Sequence, residues 1–178
     1  MKNNITKTDT ILFVGNIKKH KGLHTLVKAY KKLLEINFPG KLVIVGNANN
    51  FRTSDNSISN ELNSLPKDSV IYTGRISDTE LKIKYAEAKL LIQPSLYEGF
   101  GMPPMEALTL GTNVVISDIP VFKEIYKNLP VTYFETENAD DLACKIESTY
   151  NQPVPKFNNY YSFEKTFDII NKTLNQIQ

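Results

Sequence analysis

Two glutamates, Glu98 and Glu106, stand on either side of the seven residues GFGMPPM, which hold two glycines and two adjacent prolines. Carboxylates accept hydrogen bonds, and a pair flanking a turn suits a ligand that offers hydroxyls, such as the neighbouring pair on a ribose. Gly99 and Gly101 permit backbone angles closed to other residues and let a ligand approach the main chain. Pro103 or Pro104 suits the first turn of a helix, where no N–H is required. A helix N-terminus is therefore expected directly after the glycine turn, with free N–H groups and a positive dipole end that together make an anion site. Glu106 is expected in that first turn, near a bound phosphate but accepting from hydroxyls instead. Glu98, on the other side of the glycines, is expected to face a different part of the same ligand.

Positive charge comes from a second segment, where Lys18, Lys19 and Lys21 lie within four residues and Lys21 precedes Gly22 at the start of a helix. A lysine there fits a phosphate, and equally fits a solvated loop; composition does not separate the two. The stretch from Gly15 to Gly22 lacks the paired glycines of a dinucleotide fingerprint, and no Walker-type GK[ST] occurs in the chain. A lone glutamate in a first turn is read as a dipole-favoured surface residue, but the pair around GFG favours a site. Tyr97 reads as core packing, and Phe100 as either packing or a ligand wall. His20 and His24 read as surface or helix-start residues. Together with Cys144 they have no metal-ligand spacing, so no metal site is expected, and Cys144 reads as a small apolar residue on a helix face.

These loops need a frame. Apolar runs at 10–14, 41–45, 70–73, 90–93, 113–116 and 131–134 predict strands. Helical periodicity predicts helices at 22–36, 54–65, 78–88 (opening with an Asp cap), 104–110, 120–127, 138–150 and 162–177. The segment NQPVPKFNN is a spacer before the last of these. Nearly continuous apolar strands alternating with amphipathic helices imply a doubly wound, Rossmann-like α/β fold: a parallel sheet of about six strands with helices on both faces. Ligands of such sheets sit outside the carboxyl ends of the strands, and the three unusual loops GNIKKHKG, TGRISD and PSLYEGFGMPP all follow strands.

With 178 residues and 41% hydrophobic content, the chain is expected to form one domain, spanning 1–178. A net charge of +2, from 21 basic and 19 acidic residues, points to no nucleic acid or anionic membrane partner. One cysteine permits no intrachain disulfide, and the start MKNNITKTDT lacks the apolar core of a signal peptide, so a cytoplasmic location is expected. No apolar run approaches the ~20 residues of a membrane span, which leaves peripheral attachment to a membrane open.

The segments ILFVGNIKKHKGL, LVIVG, VIYTGRISDTELKIKYAEA, PSLYEGFGMPPMEALTLGTNVVISDIP and YSFEKT resemble the group 1 glycosyltransferases, retaining enzymes of the GT-B architecture with two Rossmann-like domains facing across a cleft. The resemblance covers nearly the whole chain, and it is to the C-terminal, donor-binding half alone. It implies that the N-terminal acceptor domain is absent, the chain being an excised fragment, a truncated product or a subunit that works with a separate acceptor half. It further implies transfer of a sugar from a nucleoside diphosphate sugar to a hydroxyl of an acceptor glycan or lipid-linked glycan, with no metal and no cofactor. By resemblance, Lys21 holds the diphosphate, Glu106 binds both ribose hydroxyls, and Glu98 with the amides of Phe100 and Gly101 holds the transferred sugar. Gly74, Arg75 and Ile76 carry the base, with the main chain of Ile76 at its edge and Arg75 over its face. Gly15, Asn16 and Gly99 complete the binding set, and Glu98 and Lys21 are the catalytic candidates. Asn16 stands where many members have an arginine, so diphosphate charge falls on Lys21 with help from Lys18 or Lys19. Phe163 stands where an aromatic, often Trp, is usual. The alternatives are an epimerase of the same architecture and a non-catalytic nucleotide-binding regulator.

Overall fold

A computed structural model describes residues 6–46 and 56–154 of the chain. Strand β1 (Thr8–Val14) leads through a 3₁₀ turn (Lys19–Lys21) into α1 (Leu23–Glu35), followed by β2 (Lys41–Val45), α2 (Asn56–Asn63) and β3 (Val70–Gly74). Then come α3 (Asp78–Glu87), β4 (Ala88–Gln93), α4 (Met102–Thr109), β5 (Asn113–Ser117), α5 (Pro120–Ile125), β6 (Thr132–Phe134) and α6 (Ala139–Tyr150). The helix expected over 162–177, Phe163 and the YSFEKT segment lie outside the described residues.

The six strands form one sheet in the order β3-β2-β1-β4-β5-β6, every pairing parallel. Side chains alternate across it. Ile11, Phe13, Leu42, Ile44, Leu90 and Ile92 pack on one face with α1, α2 and α6, while Leu12, Val43, Val45, Leu91, Val114 and Ile116 pack on the other with α3, α4 and α5. That two-sided burial is why the strand runs are apolar throughout. β3 departs from the expectation: Ile71 and Tyr72 are apolar yet exposed, because β3 is the edge strand and helices cover less of it.

Several boundaries differ for local reasons. Helix α3 is capped by Ser77, not Asp78. The Ser77 side chain accepts from the Glu80 amide, and Glu80 accepts from the Ser77 amide at 2.9 Å, a reciprocal capping box. Helix α4 begins at Met102, two residues earlier than expected, because Gly101 closes the turn in the left-handed region. A side chain at Gly101 would meet Phe122 at 2.4 Å. Cys144 lies on α6 but is exposed, on the face turned away from the core.

Strand order reverses between β1 and β4, which connect to neighbours on opposite sides. Ligands of parallel sheets bind at such a reversal, outside the carboxyl ends of the strands, and here the loops that follow β1 and β4 lie side by side at that point.

Candidate functional site

The two loops at this reversal are locked together. Gly22 adopts φ +67, and a Cβ there would lie 1.7 Å from the Pro94 carbonyl oxygen, so only glycine lets the β4 loop cross so closely. The Leu96 amide donates to the His20 carbonyl at 2.8 Å. The His20 and Tyr97 rings stack with centroids 4.6 Å apart. Tyr97 is 65% exposed, so it is not the core residue expected; its packing partner is the neighbouring loop. Burial and the nearby Lys21 charge push the His20 imidazole down from its ordinary range.

This docking brings the expected charges together. Lys21 Nζ donates to Glu98 Oε1 at 2.7 Å, across 77 residues of sequence. Glu98 is held from beneath as well, by Ser95 Oγ at 2.8 Å and Gln93 Nε2 at 3.1 Å. Neither Gln93 nor Ser95 was singled out in the sequence. The signal available was a glutamine closing the otherwise apolar strand run LLIQ.

Glu106 sits in the second turn of α4, not the first, because the helix starts early. Its Oε2 accepts from the Tyr85 hydroxyl at 2.7 Å. Tyr85 is fully packed, and burial, followed by the Glu106 hydrogen bond, pushes its phenol up, so it stays a donor. Tyr85 too was missed, since an aromatic at helical spacing reads as core.

The α4 N-terminus is a poorer donor array than expected. Gly101 makes no side-chain cap, and Pro103 and Pro104 carry no N–H, so two of the amides normally left open at a helix start do not exist. Gly99 keeps an ordinary backbone angle and faces open space, so its role is to leave room; no special conformation is needed there. Phe100 is 39% exposed, open to a ligand more than to the core.

The remaining expected residues lie along the same end of the sheet. Gly15 donates to the Val45 carbonyl at 2.9 Å and Gly46 to the Gly74 carbonyl at 3.1 Å, which ties the ends of β1, β2 and β3 in series. Asn16 and Arg75 are exposed and Ile76 is half-buried. Lys18 and Lys19 are exposed, and Lys18 flanks the turn that delivers Lys21.

A depression of about 420 Å³ lies elsewhere, at the carboxyl ends of β5 and β6, lined by Asp118, Lys123, Lys127 and Glu135 among others. Asp118 there is engaged structurally. It accepts from Thr136 N and Oγ1 at 3.0 and 2.7 Å and from Lys123 at 2.8 Å, which hold its carboxyl down to about 2. At the Lys21–Glu98 pair, by contrast, groups from two loops converge. Among the described residues, no three His, Cys, Asp or Glu side chains group as metal ligands, and no helix is long and apolar enough to cross a membrane.

Residues 1–165 match the profile of a family described as "Glycosyl transferases group 1". The O-antigen chain mannosyltransferase RfbU of Salmonella typhimurium is 32% identical over 173 residues, 94% of this chain and 47% of the relative. The serotype-specific mannosyltransferase WbdA of Escherichia coli is 32% identical over 140 residues, 78% of this chain and 17% of the relative. Among solved structures, a sucrose-phosphate synthase from Thermosynechococcus elongatus superposes with a TM-score of 0.64 at 27% identity, over 79% of this chain and 36% of that one. The chain thus spans about half the length of RfbU and less of the other two.

Proposed function

The chain belongs to the group 1 glycosyltransferases, and from that membership we propose that it is the donor-binding part of a retaining enzyme that moves a sugar from a nucleoside diphosphate to an acceptor hydroxyl in glycan synthesis. The observation that carries the reading is the meeting of Lys21 and Glu98 at 2.7 Å where the strand order reverses. A cation for a diphosphate and an acceptor for sugar hydroxyls then stand side by side.

The rest of the site fits one extended ligand. Lys21 takes the diphosphate; Glu106, steadied by Tyr85, takes the ribose hydroxyls; Glu98 and the amides of Phe100 and Gly101 take the sugar. Gly74 closes β3 and Arg75 and Ile76 follow it, two strands from β1. At ~4.8 Å per strand that separation is roughly 10 Å, which suits the span from diphosphate to base. In transfer, the bond from the anomeric carbon to the diphosphate oxygen breaks, a bond from that carbon to the acceptor oxygen forms, and the acceptor hydroxyl's proton passes to the departing diphosphate oxygen. Lys21 and the loop amides stabilise charge on the departing diphosphate, a role for fixed protein donors that requires no metal. Acceptor binding falls to a part of the enzyme other than this donor-binding fold. The mannosyltransferase relatives make mannose the first sugar to test.

The test is calorimetric titration of the 178-residue chain with GDP, UDP and their mannose and glucose conjugates, with and without EDTA, followed by a transfer assay with labelled donor. Chelator-insensitive binding of a nucleoside diphosphate sugar is expected, with transfer only when an acceptor domain is supplied. Binding that EDTA abolishes refutes the metal-free site, and transfer by this chain alone refutes the separate-domain reading.

A further inference from the structure

Strand β4 ends on a polar side chain with no exposed surface, Gln93, and two residues later Ser95 is buried as completely. Gln93 Nε2 donates to Ser95 Oγ at 2.9 Å and to Glu98 Oε1 at 3.1 Å, while Ser95 Oγ donates to the same Glu98 oxygen at 2.8 Å. With Lys21, three donors converge on one carboxylate oxygen. The other end of the amide is unmet: Gln93 Oε1 is buried and has no hydrogen-bond partner among the described residues.

That orphan oxygen explains the arrangement. Turning the amide over would set its carbonyl against the Glu98 carboxylate, so Glu98 dictates which end faces it, and the stranded oxygen is the consequence. Buried polar atoms are rarely left unpaired, and an apolar side chain of similar size would fill the same space without the loss. What Gln93 contributes is therefore what its N–H groups hold. Lys21 differs from the two buried donors. Its side chain is 20% exposed and ends a flexible four-carbon stem, so it can change partners while Gln93 and Ser95 cannot.

We propose that Gln93 and Ser95 are positioning residues that anchor Glu98 through two neutral donors of its own, which frees Lys21 to leave Glu98 for an anionic ligand while Glu98 keeps its place. The inference rests on the donor-site reading for its consequence, though not for the anchoring itself.

Two measurements on the 178-residue chain test it. The first is a thermal-unfolding cycle without ligand, using Gln93→Leu, Ser95→Ala and Lys21→Met alone and combined. Gln93→Leu is expected to unfold within about 2 °C of the parent, because removing the orphan oxygen offsets the lost donor. Adding Lys21→Met to the Gln93→Leu/Ser95→Ala background is expected to cost at least about 4 °C more than Lys21→Met costs alone, since Glu98 then becomes a buried carboxylate without donors. Additive shifts overturn the anchoring. Gln93→Met replaces Gln93→Leu if the latter does not fold. The second measurement compares GDP with GDP-mannose and UDP with UDP-glucose. Gln93→Leu is expected to weaken the sugar conjugate about tenfold and the diphosphate about threefold, because both draw Lys21 off a Glu98 that has lost one donor while only the conjugate also depends on the position of Glu98. Equal weakening of both, with a lowered unfolding temperature, marks Gln93 as a structural residue only and refutes the proposal. If the parent chain binds none of the four nucleotides, the donor reading fails while the unfolding cycle still decides the anchoring.

Discussion

Replacing Glu106 by Gln separates ribose recognition from phosphate recognition. The substitution keeps the shape of the side chain and leaves a carbonyl oxygen that still accepts from Tyr85, whose hydroxyl reaches Glu106 Oε2 at 2.7 Å. What changes is the remaining capacity. A carboxylate with one oxygen held by Tyr85 can take hydroxyls on its other lone pairs, whereas an amide presents an N–H₂ group that cannot accept. Hydrogen bonds to charged groups contribute roughly 1.5 to 3 kcal/mol, so the affinity for a nucleoside diphosphate should fall about 10- to 150-fold. Inorganic pyrophosphate has no hydroxyl pair and its affinity should change little. Calorimetry with GDP, UDP and pyrophosphate on the parent and the variant measures both. Tyr85→Phe is the control for positioning: it keeps the ring packing, removes the donor, and should cost roughly tenfold or less for the nucleotides alone. Equal losses for nucleotide and pyrophosphate in Glu106→Gln would place Glu106 away from the ribose and refute the reasoning.

Three further outcomes are expected. Lys21→Ala should weaken diphosphate binding while leaving nucleoside binding nearly unchanged, and parent affinity for diphosphate should fall as salt rises; equal loss of nucleoside binding would make Lys21 a loop-holding residue. Lys7, whose ammonium reaches the Ala88 carbonyl and Thr112 Oγ1 at 2.8 Å each, is pushed by burial from 10.5 to about 8. Between those values the unfolded chain binds the extra proton, so stability should rise with pH, and urea unfolding at about pH 7.5 and 9.5 should show that rise flattened in Lys7→Met. Asp118, held down to about 2, contributes stability that is complete above its ordinary 3.8 and lost as pH falls through about 2. Asp118→Asn should therefore be less stable than the parent at neutral pH, with the gap closing in acid; a gap of constant size would rule the linkage out.

The strands, their parallel pairing and the three ligand-side loops were legible because two-sided burial writes itself as unbroken apolar runs. Lys21, Glu98 and Glu106 were legible as candidates because a lysine before a strand-end glycine and two carboxylates flanking GFG fall in the loops where a parallel sheet collects ligands. What stayed hidden depended on distant contacts. Tyr97 looks like core and is exposed, since its partner His20 lies in another loop. Tyr85 and Gln93 sit among apolar neighbours, and their polar ends matter only through Glu106 and Glu98, 21 and 5 residues on. The early start of α4 was hidden too, because a proline pair fits several first-turn registers and only the Gly101 contact with Phe122 selects one.

That register has a consequence for selectivity. With Pro103 and Pro104 in its first turn, α4 offers an anion the amides of Gly101 and Met102 and little else, so the positive charge must come from a side chain. In the proposed donor site Lys21 supplies it, and that charge is matched by Glu98 at 2.7 Å. An inorganic phosphate that draws Lys21 away brings its own negative charge towards a carboxylate it cannot satisfy. A diphosphate carrying a sugar gives Lys21 an anion and gives Glu98 hydroxyl donors in the same event, so neither charge is left unmatched. In the proposed site the ion pair should thus favour the compound ligand over its anionic fragment, by making Glu98 a cost to every anion that arrives without hydroxyls.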